Sequence, residues 1–325
     1  MMSKSIDLSP GRLLRKAGPP RKLDSFTGIE VHDPRLEEAL SLDEVPSILY
    51  QFTLHGEGTI WDASRDRLIW SDVPNRRLLA WYPDGRVEVA IDNTQFMNGN
   101  AVDAEGRLVH CEHGRRCISR SNADGEPEPI VTHYEDKRLN SPNDVTVAQD
   151  GSIWFTDPTF GILMPNQGSL VDPELDHRSV YRFDSRDGAL RRMADFEQPN
   201  GLFFSPDGRT LYVSDTARSL GEIIGGHARD THEIQAFTVA ATGELSERRL
   251  FCRTDHGYPD GFAVDERGWV WTTAGDGIHI YASDGIRLGF IPMPATPSNC
   301  CFDGPGRGRL FIAAQSYLLA VDLRA

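Results

Sequence analysis

Apolar residues in this chain fall into short runs set out in pairs, and one pattern repeats along most of its length. A polar residue opens each unit, an apolar run follows, an Asp/Gly-type turn interrupts it, and a second apolar run closes the unit. The units read EGTIWDASRDRLIWSD from Glu57, NGNAVDAEGRLVHCE from Asn98, NDVTVAQDGSIWFTD from Asn143, NGLFFSPDGRTLYVSD from Asn200, DGFAVDERGWVWTTA from Asp260 and NCCFDGPGRGRLFIAA from Asn299. Counted from Asn98, Asn143, Asn200 and Asp260, the turn glycine arrives at the same offset, as Gly106, Gly151, Gly208 and Gly268. Short strands repeating every ~40–60 residues predict a propeller, because one such unit cannot bury its apolar faces alone.

The outer half of each blade is also legible. The first unit supplies four strand-like runs, Thr59–Ala63, Arg67–Asp72, Leu78–Tyr82 and Val87–Ile91. The fourth supplies Leu202–Ser205, Thr210–Asp215, Ile234–Val239 and Arg249–Arg253. The sixth has only Cys300–Asp303, Arg309–Ala313 and Tyr317–Leu323, so Ser47–Thr53 is expected to complete it and close the ring. The expected fold is all-β: a six-bladed β-propeller with four-stranded blades over residues 46–325, closed by an N-terminal strand. Residues 1–45 form an N-terminal extension, basic first and acidic later, either packed on the ring or partly disordered. Insertions at 161–178 and 218–233 read as loops that can rim a site.

Charge narrows the partners. The chain carries 48 Asp and Glu against 34 Lys and Arg, a formal net charge of −14. That balance argues against a nucleic-acid backbone as partner. No apolar run in residues 1–45 is long enough for a signal-peptide core or a membrane span. The cysteines, Cys111, Cys117, Cys252, Cys300 and Cys301, are odd in number and show no CxxC spacing, which suits free thiols in a reducing compartment. A cytoplasmic location follows as an expectation.

Every unit opens on Glu, Asn or Asp in one phase, at the start of the strand nearest the propeller axis. Singly, each could be turn chemistry or a solvated end. Together they offer two carboxylates and several amide oxygens with no Cys or His, a donor set for a hard divalent cation. Calcium suits it best, magnesium and manganese are also admissible, and zinc is less natural. A polar, water-filled channel is the alternative.

Five motifs carry a resemblance. They are GEG at 56–58, SPNDV at 141–145 with FTDP at 155–158, PNG at 199–201 with YVSD at 212–215, PDG at 259–261 and SNCCF at 298–302. Between Ser47 and Ala325 the chain resembles the senescence marker protein/gluconolactonase/luciferin-regenerating-enzyme family, which includes lactonases and phosphotriesterases of the diisopropyl-fluorophosphatase type. The resemblance implies a metal site of Glu57, Asn143, Asn200 and Asp260. It also implies Asp260 as general base and Asn143 as ligand or substrate contact. Sugar-lactonase members carry Arg two residues before the Asn that matches Asn143; here that position is Ser141, a departure in the sugar contacts.

The implied chemistry is hydrolysis of a small-molecule lactone, such as an aldono-1,5-lactone, with a cation stabilising charge on the carbonyl oxygen. Asp260 would either deprotonate water or attack directly. Phosphotriester or aryl-ester hydrolysis is the rival activity, and a non-catalytic binding propeller the rival class. No GxSxG elbow supports a serine hydrolase. His110 and His113 could reach the channel, although one is expected to be a satisfied core residue. Asp72, Asp157 and Asp215 read as turn caps or inter-blade acceptors, and Trp61, Trp154 and Trp271 as inter-blade packing.

Overall fold

A computed structural model describes residues 11–16, 18–219, 231–304 and 308–324. Six antiparallel sheets form the blades of a propeller. The first blade runs outward through Gly56–Asp62, Arg67–Asp72, Arg77–Trp81 and Val87–Ile91, each strand paired with the one before it. The innermost strands of the others are Met97–Val102, Val145–Val147, Pro199–Phe204, Phe262–Val264 and Pro297–Phe302. Each blade alternates residues between its two faces, and both faces are apolar because each is covered by a neighbouring blade.

The seam closes as the sequence requires. Ser47–Tyr50 pairs with Tyr317–Asp322, placing Leu318 opposite Tyr50 and Leu319 opposite Ile48, and so completes the sixth blade. The tryptophans sit between blades. Trp61 stacks on Phe311 of the sixth blade at 5.7 Å, Trp154 meets Phe204 of the fourth edge-on at 5.5 Å, and Trp271 meets Phe302 of the sixth at 5.8 Å. Adjacent Cys300 and Cys301 face opposite ways, each into a different apolar cluster.

The described part of residues 11–45 lies along the outside of the ring and adds an edge strand to three blades. Leu13–Arg15 pairs with Val87–Ile91 of the first, Arg21–Lys22 with Ser47–Tyr50 of the sixth, and Glu30–Val31 with Arg287–Pro292 of the fifth. A short 3-10 turn, Pro34–Glu38, follows; Asp33 caps it by accepting from the Arg35 backbone N–H. This turn inserts Leu36, and Leu40 just after it, among Trp271, Leu288, Leu310 and Leu319 with no exposure to solvent. A stretch whose charged residues suggest a solvated tail therefore belongs to the core through two leucines. Residues 220–230 of the second insertion lie outside the described residues, whereas the first begins with a helical turn, Phe160–Leu163. Among the described residues no helix is long and apolar enough to cross a membrane.

Leu36→Ala should cost about 2–4 kcal/mol of unfolding free energy in urea titrations, the usual range for a leucine removed from a sealed core. A loss below about 0.5 kcal/mol would mean that this segment is not part of the folded unit.

Candidate active site

Three of the six opening residues are held at the axis by one repeated device. In the first, third and fourth blades a hydroxyl near the end of the second strand donates to a carbonyl of the next blade: Ser71 Oγ to Asn98 O (2.7 Å), Thr156 Oγ1 to Asn200 O (2.7 Å) and Ser214 Oγ to Asp260 O (2.9 Å). Ser298, on the innermost strand of the sixth blade, donates to Gly56 O and so joins the last blade to the first. The residue after the opening one is glycine in four units, because neighbouring backbones crowd there. A Cβ on Gly58 would lie 2.1 Å from Asn98 O, and one on Gly201 would lie 2.6 Å from Asp260 O. In the third unit Asp144 takes this place and in the sixth Cys300, so a carboxylate stands in the third unit where four others have only hydrogen.

The acids that end three second strands brace the approach to the site. Asp72 accepts from Leu54 N (2.9 Å), Asp157 from Asn140 N (2.8 Å) and Asp215 from Glu197 N (3.1 Å). In each case the donor lies three residues ahead of the opening residue of the same blade, Glu57, Asn143 or Asn200. The contacts are therefore caps within a blade rather than bonds between blades.

At one end of the axis Glu57, Asn98, Asn143, Asn200 and Asp260 line a single cavity of about 140 Å³. The four residues expected as metal ligands are thus brought together. Asn299 is not among the lining residues. Its Oδ1 is drawn back to the first blade, accepting from Thr59 N at 3.1 Å and Thr59 Oγ1 at 2.8 Å, so the sixth phase-equivalent residue is structural. The remaining wall comes from loops: His55, His113, Phe160, Met164, Gln167, Thr216, Ser219 and Tyr258. These do not recur with the period, so sequence reading named only His113 among them, although Met164, Gln167 and Ser219 lie in the insertions expected to rim a site. A weak signal existed at one place, since His55 and Tyr258 each stand two residues before an opening residue, Glu57 and Asp260. Ser141 has that same position in the third unit but is fully buried, donating to Pro158 O at 2.7 Å and accepting from Gly161 N at 3.0 Å.

Among the described residues no lysine or arginine lines the cavity, and the electrostatics show the consequence. Asp260 is pushed well above the usual carboxylate range by its enclosure in the ring and then by the charges of Glu57 and Asp144. A hydrogen bond from Asn200 and one from the Gly261 backbone offset only part of this. Asp144 is raised to about 7, chiefly by burial. For His55, burial alone would lower the pKa, but the 3.0 Å contact to Glu57 and the charges of Glu57 and Asp72 raise it. Burial lowers His110 to about 3 and His113 to about 4, so both are neutral. His110 is the satisfied core histidine, with Nδ1 2.7 Å from Asn100 Oδ1.

Carboxylates crowded without a balancing cation, beside amide oxygens, fit a hard divalent ion better than they fit water alone. Among the described residues no three His, Cys, Asp or Glu side chains converge as a metal-binding group. The donor set here is two carboxylates supplemented by asparagine amides.

A six-bladed propeller with an acidic, amide-lined pocket at one end of its axis is the class of protein that fold and site define. The profile of the SMP-30/Gluconolactonase/LRE-like region matches residues 55–316, and the chain belongs to this family. It is 30% identical over 313 residues to a gluconolactonase of Zymomonas mobilis, covering 89% of this chain and 84% of that protein. A gluconolactonase structure from Xanthomonas campestris superposes with a TM-score of 0.89 at 47% identity, covering 96% of this chain and all of the other. A calcium-binding regucalcin from Agrobacterium tumefaciens shares the fold, with a TM-score of 0.69 at 19% identity over 86% of this chain and 94% of the other.

Asp157, which braces the loop entering Asn143, supplies a pH test. Burial lifts it to about 7 against the opposing hydrogen bonds of Asn140 and Ser141, so the folded state holds its proton where the unfolded state has lost it. Raising the pH from about 4 to about 7 strips that proton at a cost the unfolded chain does not bear. Asp157→Asn should therefore gain stability relative to the unsubstituted protein across this window and run parallel to it above. Parallel urea-unfolding curves throughout would contradict the assignment.

Proposed function

We propose that this chain is a divalent-metal-dependent hydrolase that opens a sugar lactone, an aldono-1,5-lactone such as glucono-1,5-lactone, in the axial pocket. The observation that carries this reading is the meeting of Glu57 and Asp260 in one small cavity with Asn143 and Asn200 and, among the described residues, without a lysine or arginine. The gluconolactonase relatives support the substrate class. Glu57, Asn143, Asn200 and Asp260 would hold the cation, and calcium suits these hard oxygen donors best, ahead of magnesium, manganese or zinc. When bound, such an ion supplies Lewis-acid polarisation of the lactone carbonyl and charge to stabilise its oxygen during attack.

The remaining work belongs to the chain's own groups. Asp260 acts as general base, taking a proton from water as the water oxygen bonds to the carbonyl carbon. The ring C–O bond then breaks, the ring oxygen recovers the proton, and the product is a hydroxy acid. Asn200 and the Gly261 N–H, both hydrogen-bonded to Asp260, hold its carboxyl in place. Asn143 is positioned on the same wall to meet substrate as well as metal. Phe160 and Met164 line the pocket from the cap and limit the water around the ring. All five cysteines are free and buried, which suits a reducing compartment, and we place the enzyme in the cytoplasm.

Chelated protein should lose aldonolactone turnover and regain it on addition of calcium. Asp260→Ala should lower kcat/KM by about 10²–10⁴, the usual contribution of a positioned base. Folded, metal-loaded protein that opens no lactone would overturn this reading, and phosphotriesters and aryl esters would then be the substrates to test.

A further inference from the structure

Among the described pocket residues, His113 alone has a fully buried side-chain nitrogen or oxygen without a hydrogen-bond partner, its Nε2. The residue is 1% exposed and follows directly on the second strand of the second blade, Leu108–Glu112. Its backbone N–H donates to Phe96 O. The ring is anchored from the cap, since Nδ1 lies 2.8 Å from the backbone carbonyl oxygen of Gln167. A carbonyl can only accept, so the proton sits on Nδ1.

Two cap glycines fix the plane of the ring. A Cβ on Gly161 would stand 2.5 Å from His113 Cγ, and one on Gly168 would stand 3.2 Å from His113 Cβ. Only bare backbone can press this closely, so the imidazole is clamped and cannot turn its free edge elsewhere. Burial keeps the ring neutral at physiological pH, which leaves Nε2 an unprotonated, unpartnered lone pair on a residue that lines the pocket. A buried acceptor left unmet costs roughly 1–3 kcal/mol, so the site favours a ligand that brings a donor to it. A lactone's carbonyl and ring oxygens cannot donate, but its ring hydroxyls can.

We propose that His113 is a specificity-determining residue whose Nε2 accepts a hydrogen bond from a ring hydroxyl of the substrate, so that the pocket selects hydroxylated lactones over bare ones. This rests on the reading of the axial pocket as the lactone site. The cap at 160–168 is then more than a rim, because its Gln167 carbonyl sets the tautomer that makes Nε2 an acceptor. His113 acts on substrate choice and not on the proton transfer assigned to Asp260.

The test compares kcat/KM for glucono-1,5-lactone and for δ-valerolactone, the same ring without hydroxyls, in the calcium-loaded unsubstituted enzyme, His113→Phe and His113→Gln. Phenylalanine keeps the ring between the glycines and removes the acceptor. The ratio of the two kcat/KM values should fall roughly 10- to 100-fold in His113→Phe, the cost of one unmet hydroxyl contact. His113→Gln, which can offer an amide oxygen, should recover part of it. An unchanged ratio, whether both activities fall together or neither falls, overturns the inference. If His113→Phe lacks the native circular dichroism, singly deoxygenated gluconolactones with the unsubstituted enzyme decide instead. One of them must lose a comparable factor, and no loss from any of them overturns the proposal. Failure of the unsubstituted enzyme on both lactones counts against the lactonase reading itself, a result distinct from an unchanged ratio.

Discussion

The close approach of the innermost strands at the axis is the constraint on which the rest of the structure depends. Hydroxyls of Ser71, Thr156 and Ser214 clasp the carbonyls of Asn98, Asn200 and Asp260 in the next blade, and Gly58 and Gly201 leave room for the contact. Each clasp fixes the backbone of an opening residue and therefore aims its side chain. The same contacts hold the ring together and assemble the pocket. A substitution at one of these glycines would disturb both, since a β-carbon would strike the backbone that carries the functional residue.

The ring concentrates negative charge as a consequence. Glu57 and Asp260 face one cavity, with Asp144 close enough that its charge raises Asp260, and among the described residues no lysine or arginine lines the cavity. Such an arrangement destabilises the folded chain unless a cation or protons neutralise it. Function and stability are thus coupled at the axis, where the groups that would hold an ion are also the groups that repel one another without it. The neutral histidines are the counterpart: His110 is satisfied within the blade, whereas His113, which lines the pocket, keeps an unmet nitrogen.

Closure is secured from outside as well as at the axis. Ser47–Tyr50 joins the sixth blade to the N-terminal side of the chain, and the segment before it edges the first, sixth and fifth blades in turn. Leu36 and Leu40 anchor that segment between the fifth and sixth blades. A ring has no free blade edge along its circumference, but it has one seam, and this is where the extra pairing concentrates.

The sequence by itself determined the propeller, its closure strand and the four residues Glu57, Asn143, Asn200 and Asp260 that meet in the pocket. The propeller, its closure and the common phase of six opening residues follow from a repeat, which becomes a ring in space because each unit must bury its faces against its neighbours, whereas the choice of these four among the six came from the family resemblance. Tertiary structure decided which phase-equivalent residues line the cavity and which do not. Asn299 was legible as a sixth member of the ring, yet Thr59 draws its side chain away from the cavity. The end-of-strand acids were legible as caps, but only the fold shows Asp72, Asp157 and Asp215 each bracing the chain three residues ahead of a pocket residue. Phe160 and Gln167 come from connections that share no period, so nothing in their spacing marks them, and His55 and Tyr258 share only their place two residues before an opening residue. Their place in the wall depends on where loops of different length return to the axis, and contacts between distant parts of the chain settle that.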